Sequence, residues 1–128
     1  MRHENEIAQV IVDAALKVHQ KLGPGLLESV YEKVLSYELE KRELAVERQK
    51  SISVAYDALD IKDAFRADLV VDGKVIVELK SVERVEAVHK KQTLTYLKLA
   101  DKRLGLLINF GAPLLKDGLF RIVNGLDE

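Results

Sequence analysis

Apolar positions recur along this chain first with a helical and later with a strand period. Ile7, Val10, Ile11, Ala14, Val18 and Leu22 fall on one face, with Glu6, Asp13, Lys17 and Lys21 opposite, which predicts an amphipathic helix over 7–22. Gly23-Pro24-Gly25 stops it, because glycine suits a helix C-terminus and proline cannot continue the hydrogen-bond ladder. A second helix is expected over 26–43, with Leu27, Val30, Tyr31, Val34, Leu35 and Leu39 as its core stripe. The period then changes to two: Ile52, Val54 and Tyr56 alternate with Ser51, Ser53 and Ala55, giving a strand over 46–56. A polar loop over 57–63 leads to two strands within 65–82, joined by a tight turn at Asp72-Gly73. A helix over 85–100 follows. The nearly unbroken apolar run 103–110 (RLGLLINF) then reads as a strand covered on both faces. A last strand, 119–123, follows the turn at Lys116-Asp117-Gly118.

The order is helix, helix, strand, strand, strand, helix, strand, strand. A helix between the third and fourth strands implies a crossover, hence a parallel pair within a mixed sheet. The class is α/β, with a meander at one side of the sheet. At 128 residues the chain is expected to form a single domain with a real hydrophobic core.

Composition narrows the chemistry. With 48% hydrophobic and 32% charged residues the protein reads as soluble, and no apolar stretch approaches a membrane span. The charged N-terminus, MRHENEIAQV, is unlike a signal peptide, so a cytoplasmic location is expected. There is no cysteine, which excludes thiolate metal sites and thiol catalysis. Any metal must take carboxylate, carbonyl, imidazole or water ligands, a set that favours hard cations such as Mg²⁺ or Mn²⁺. The net charge of −1 gives no general attraction to nucleic acid, so a polyanion would need a local basic surface. Lys80, Arg84, Lys90, Lys91, Lys98, Lys102 and Arg103 could supply one.

Three charges, Asp68, Glu78 and Lys80, stand inside otherwise apolar strand sequence, where burial is costly unless they are paired or bind a metal. Glu78 and Lys80 are two apart and leave the same face of their strand. Whether Asp68 joins them depends on the turn. A two-residue Asp72-Gly73 loop would pair Asp68 with Val77 and put Glu78 on the other face. A three-residue Val71-Asp72-Gly73 loop, with Gly73 left-handed, pairs Asp68 with Ile76 and makes Glu78 its diagonal neighbour. The three-residue loop is expected. Two carboxylates so placed need a positive charge between them. Lys80 alone could be that charge on a wet sheet face; alternatively the acids hold a divalent cation while Lys80 orients or activates a water.

Two further features stand out. Glu28 lies in the first turn of the second helix, where a carboxylate complements the helix dipole. On the crossover helix, Val85, Val88, Tyr96 and Leu99 define an apolar stripe with Gln92 in its middle. A core-facing glutamine needs hydrogen-bond partners. Gln92 and Tyr96, four apart, either serve the core or face the acidic site together. His89 reads as a surface residue.

The run Gly25-Leu-Leu-Glu28-Ser-Val-Tyr31 has the form GxxExxY. FRADLVV…VIVELKSV, then Gln92-xxx-Tyr96, then Gly105-Leu-Leu-Ile-Asn-Phe continue a recognisable series. The chain resembles the small bacterial GxxExxY proteins, a branch of the PD-(D/E)XK nuclease-like superfamily, from the first helix to near the C-terminus. The resemblance implies a restriction-endonuclease-like core, a mixed β-sheet flanked by helices, and metal-dependent phosphodiester hydrolysis with Mg²⁺ or Mn²⁺. It makes Asp68 and Glu78 metal ligands, with the Leu79 carbonyl as a third and Glu28 as the helix carboxylate of the site. Lys80 becomes the catalytic lysine. Gln92 and Tyr96 resemble the QxxxY element of the RecB-like branch, which supports the active site or the substrate strand. Gly25 would let the helix start close to the sheet, and Tyr31 packs the core. Ala67 stands where the superfamily name has proline, at a position that binds no metal. Arg66 shares the face of Asp68 and either binds a phosphate or pairs with Glu78; Lys91 belongs to the basic set that would touch nucleic acid.

Three functions are thereby in play. The first is a nuclease acting on nucleic acid, DNA ahead of RNA. The second is a non-catalytic nucleic-acid-binding module, and the third a protein-interaction module of the same fold. A homodimer would double the basic surface.

Overall fold

The computed structural model describes residues 2–127. Helix α1, Glu4–Leu22, opens with the His3 ring accepting the Asn5 backbone N–H at 3.0 Å, and carries Glu4 and Glu6 where the helix dipole favours them. It buries Ile7, Ile11, Ala14, Ala15 and Val18 and ends at Gly23, whose φ of 69° suits glycine. Helix α2, Glu28–Lys41, buries Tyr31, Leu35 and Leu39. Leu27 and Val30, expected in its core stripe, are exposed instead: Leu27 is the residue before the first turn, and the buried face runs through Glu32 and Ser36.

One five-stranded sheet follows, in the order β1-β2-β3-β4-β5. The strands are β1 Val46–Tyr56, β2 Leu59–Val71, β3 Val75–Lys80, β4 Leu104–Asn109 and β5 Leu119–Val123. Only β3 and β4 run parallel, and helix α3, Ala87–Ala100, connects them as the crossover. The expected order of elements holds throughout. Residues 57–63 were expected to be a polar loop, but the turn is only Asp57-Ala58, with Asp57 at φ 52°, and β2 already begins at Leu59. The outer half of this β1–β2 hairpin is largely exposed on both faces, so its alternating apolar residues Tyr56, Leu59 and Ile61 face solvent instead of a core. A register shift near Ile52/Val54, with Asp63 at φ 52° and hydrogen-bonded by Ser51, bends the hairpin where it leaves the core.

The sheet is covered on both sides. Leu69, Val71, Val75, Val77, Leu79, Leu104, Leu106 and Ile108 pack beneath α1 and α2, while Val70, Ile76 and Ala67 pack against Leu97 of α3. This double cover is why β3 and β4 read as continuous apolar runs. Helix α3 is rotated from the expected stripe. Thr93 and Leu97 face the sheet, while Val88 is 64% and Leu99 46% exposed. Gly105 sets this face: a Cβ there would lie 3.1 Å from Thr93 and 3.4 Å from Leu97, so its bare backbone seats the helix.

Candidate active site

The site begins at the turn between β2 and β3. The loop has three residues, as expected, but they are Asp72-Gly73-Lys74, one position later than the pattern suggested. Asp72 and Gly73 both take positive φ, 52° and 66°, and Lys74 N–H closes the turn on the Val71 carbonyl at 3.0 Å. The register is therefore Val71↔Val75, Val70↔Ile76 and Leu69↔Val77. Continued by one step it sets Asp68 directly opposite Glu78 rather than diagonally. Here the backbone ladder stops and side chains replace it. Glu78 Oε2 accepts the N–H of Asp68 at 2.9 Å, and Asp68 Oδ2 accepts the N–H of Leu79 at 2.8 Å. Each carboxylate is thus clamped to the opposite strand through one oxygen. Asp68 Oδ1 takes a longer bond, 3.2 Å, from the Gln49 side chain.

The electrostatics follow from this geometry. Glu78 is buried, and burial, followed by the charge of Asp68, pushes its pKa up to about 8. The N–H of Asp68 and the ammonium of Lys80 act in the opposite direction without cancelling the rise. Near neutral pH the pair therefore carries a proton that a cation would displace. Lys80 is half-buried and has no salt-bridge partner among the described residues. Tyr96 stacks on Phe65 with centroids 4.0 Å apart. Its phenol pKa is raised by burial and then by the charges of Glu78 and Asp68, which places the ring beside the acids.

The carboxyl end of β3 is held from three directions. Helix α2 contributes Glu28, whose Oε2 accepts the Ser81 N–H at 3.3 Å, and Ser81 Oγ donates to the Leu26 carbonyl at 2.5 Å. The end of β4 contributes buried Asn109. Its Oδ1 accepts the N–H groups of Val82 and Gly111, both at 3.0 Å, and its amide donates to the Val82 carbonyl at 2.9 Å. Phe110 N–H donates to the Lys80 carbonyl at 2.8 Å. Gly111 is obligatory here, since a Cβ would sit 2.3 Å from the Val82 oxygen. Tyr31, fully buried, stacks on Phe110 at 4.4 Å, and its hydroxyl donates to the Gly23 carbonyl at 2.5 Å while accepting the Leu26 N–H. The GxxExxY run is therefore a latch: Tyr31 shapes the turn after α1, and Glu28 ties the start of α2 to β3. Gly25 serves through its φ of 102° rather than through closeness to the sheet, because a Cβ there would meet nothing within 4 Å.

The expected site residues are brought together unequally. Asp68, Leu79 and Glu28 line one cavity of about 410 Å³ with Ser29, Glu32 and Gln49, while Glu78 and Lys80 flank Leu79 in β3 and are not part of that lining. The cleft lined by Glu28 continues past Ser81 and Val82 to Pro24 and Gly111, with a volume of about 670 Å³. Among the described residues no three His, Cys, Asp or Glu side chains converge in a metal-holding group, although Glu28 and Asp68 line the same cavity. Gln92 is exposed and makes no hydrogen bond to the described residues, a consequence of the rotation of α3 that brings Thr93 inward. Arg66 and Lys91 are exposed as well, and no salt bridge joins Arg66 to Glu78. His89 accepts the Glu86 N–H at the start of α3.

Sequence reasoning missed Glu32, Arg48 and Gln49. Glu32 is buried, accepts Arg48 Nε and Nη2 at 3.1 and 3.0 Å on Oε2, and accepts the Gln49 amide at 2.5 Å on Oε1. Gln49 thus brings a glutamine side chain to Asp68 from β1. One signal was available: Glu32 is four residues after Glu28 and shares its helix face.

The chemistry of the acid pair suits a hard cation that keeps several waters, for which one or two carboxylates are enough. No curated protein and no solved structure matches the chain. A family model described as the PD-(D/E)XK nuclease superfamily matches residues 5–122. That match reaches the superfamily, a coarser level than the GxxExxY branch. With its mixed sheet, flanking helices and opposed strand acids, this chain belongs to the PD-(D/E)XK nuclease superfamily.

Proposed function

We propose that the chain hydrolyses phosphodiester bonds of nucleic acid, DNA ahead of RNA, at Asp68, Glu78 and Lys80 with a divalent cation, Mg²⁺ or Mn²⁺. One observation carries the proposal: two carboxylates are clamped face to face in a largely buried position, beside a lysine that has no salt-bridge partner among the described residues. Without a cation the pair keeps a proton on Glu78; a divalent cation would take that proton's place between the two acids. A cation held by Asp68 and Glu78 would supply positive charge for the phosphate and would lower the pKa of a water on it.

The chain's own residues supply the rest. Asp68 and Glu78 use one oxygen each on backbone N–H groups, which fixes the directions of the remaining two. Glu28 and the Leu79 carbonyl border the same space and are the candidates for further ligation. Lys80 holds its ammonium next to Glu78, where it can orient a water or meet phosphate charge. Tyr96 packs beside the acids as a support for the substrate strand, and Arg66, Lys91 and Gln92 are exposed for contact with phosphates.

A non-catalytic binding module is the second reading, and it is favoured by the described residues bringing no third carboxylate together with the acid pair. Cleavage assays separate the two. Single-stranded, duplex and branched DNA and RNA are incubated with Mg²⁺ or Mn²⁺ and the wild type, Asp68→Ala or Lys80→Ala. Cleavage by the wild type alone, with nucleic-acid retention kept in Lys80→Ala, supports the nuclease. Retention without cleavage of any substrate supports the module.

A further inference from the structure

We propose that Gln49 is a positioning residue for Asp68, anchored from behind by Glu32 and Arg48. This rests on Asp68 being part of a cation-binding pair. Gln49 sits in β1 between Arg48, paired with Leu69, and Lys50, paired with Ala67, so it stands across from Asp68. Its φ is 49°, a left-handed conformation that a non-glycine residue rarely adopts inside a strand. Such a strained residue beside a site can re-aim a side chain.

The side chain is aimed by two acceptors. Gln49 Nε2 donates to Glu32 Oε1 at 2.5 Å and to Asp68 Oδ1 at 3.2 Å. Both neighbours are carboxylates, so only the nitrogen end of the amide can face them, and its two hydrogens serve one acid each. Glu32 is itself immobilised, buried on α2 with Arg48 gripping its other oxygen through Nε and Nη2. The chain Arg48–Glu32–Gln49 therefore ends on the one Asp68 oxygen that the Leu79 N–H does not hold. Without Gln49, Asp68 Oδ1 loses this donor, and the carboxylate is held only by the Leu79 N–H and by Glu78. Gln49, Glu32 and Asp68 line the same cavity, so the relay borders the space a cation would use.

Partners behind a metal ligand typically account for about ten- to a hundredfold in metal affinity or activity. The test is calorimetric titration with Mn²⁺ of the wild type, Gln49→Met, Glu32→Ala, the double variant and Asp68→Asn, with thermal melts of each. Gln49→Met, at an exposed position, is expected to keep its melting temperature, lose about tenfold or more in Mn²⁺ affinity and lower kcat with KM unchanged. Glu32→Ala is expected to add nothing once Gln49 is gone. Should Glu32→Ala fail to fold, the single Gln49→Met variant still decides. Undiminished Mn²⁺ affinity in Gln49→Met, alongside lost binding in Asp68→Asn, overturns the positioning role and leaves the acid pair standing. A wild type that binds no Mn²⁺ overturns both.

Discussion

Glu78 accepts the backbone N–H of Asp68 at 2.9 Å, and burial together with the neighbouring Asp68 charge raises its pKa to about 8. A divalent cation needs this carboxylate ionised. Binding below about pH 8 must therefore expel a proton. Apparent Mn²⁺ affinity should rise by about tenfold per pH unit up to that point and level off above it. Titration across pH, with heats compared in buffers of different ionisation enthalpy, reads the proton directly. A flat affinity between pH 6 and 8 would remove the coupling.

The same shift has a consequence for the metal-free fold. Between its ordinary value of 4.5 and about 8, Glu78 keeps its proton in the folded chain and has lost it in the unfolded one. Stability must then fall as pH rises through this window, by at most about 1.4 kcal/mol per pH unit, and become flat above it. Glu78→Gln should remove this part of the slope. Urea unfolding of both proteins at several pH values, without divalent metal, gives the difference.

Asn109 and Gly111 hold the segment that follows Lys80. Asn109→Ala leaves the Val82 and Gly111 N–H groups unpaired, at about 1–3 kcal/mol for each that is not rescued by water. Gly111→Ala pushes a methyl group into the Val82 carbonyl and should cost at least as much as ordinary overpacking, about 1–3 kcal/mol. Both variants should lower any nuclease activity by more than their melting temperatures suggest, because Val82 lies two residues beyond Lys80. Equal losses of folded fraction and activity would assign them a purely structural role.

Tyr31→Phe keeps the stack on Phe110 but removes the hydroxyl that bridges Gly23 and Leu26. A loss of about 1 kcal/mol is expected, typical of one buried hydrogen bond. Because Leu26 also receives Ser81 Oγ, the loosened turn should raise amide exchange at Ser81 and Val82. Unchanged exchange there would show that the turn and β3 are independent.

The order of elements, the parallel pair and the meander were legible because β3 and β4 are covered on both faces and so are largely apolar. The β1–β2 arm was only half legible. Beyond Ile52 it has no core to face, and the acids and lysine spaced around Leu59 and Ile61 in 57–63 disguised a strand as a loop. The meeting of Asp68 with Glu78 was foreseen, yet the turn is displaced by one residue, since Asp72 as well as Gly73 adopts positive φ. Gln92 misled because its stripe was drawn through Val88 and Leu99, whereas the helix is seated by Gly105 against Thr93 and Leu97. Gln49 could not be found by spacing at all. It reaches Asp68 through a backbone conformation that no local pattern announces.

The central claim is that the clamped acids seat a hard cation, and calorimetry with Mg²⁺ and Mn²⁺ near pH 8 tests it most directly. Saturable binding to the wild type is expected, and it should disappear in Asp68→Ala while the melting temperature of the metal-free chain is retained. Binding that survives in Asp68→Ala, or no binding of either ion to the wild type, would contradict that claim.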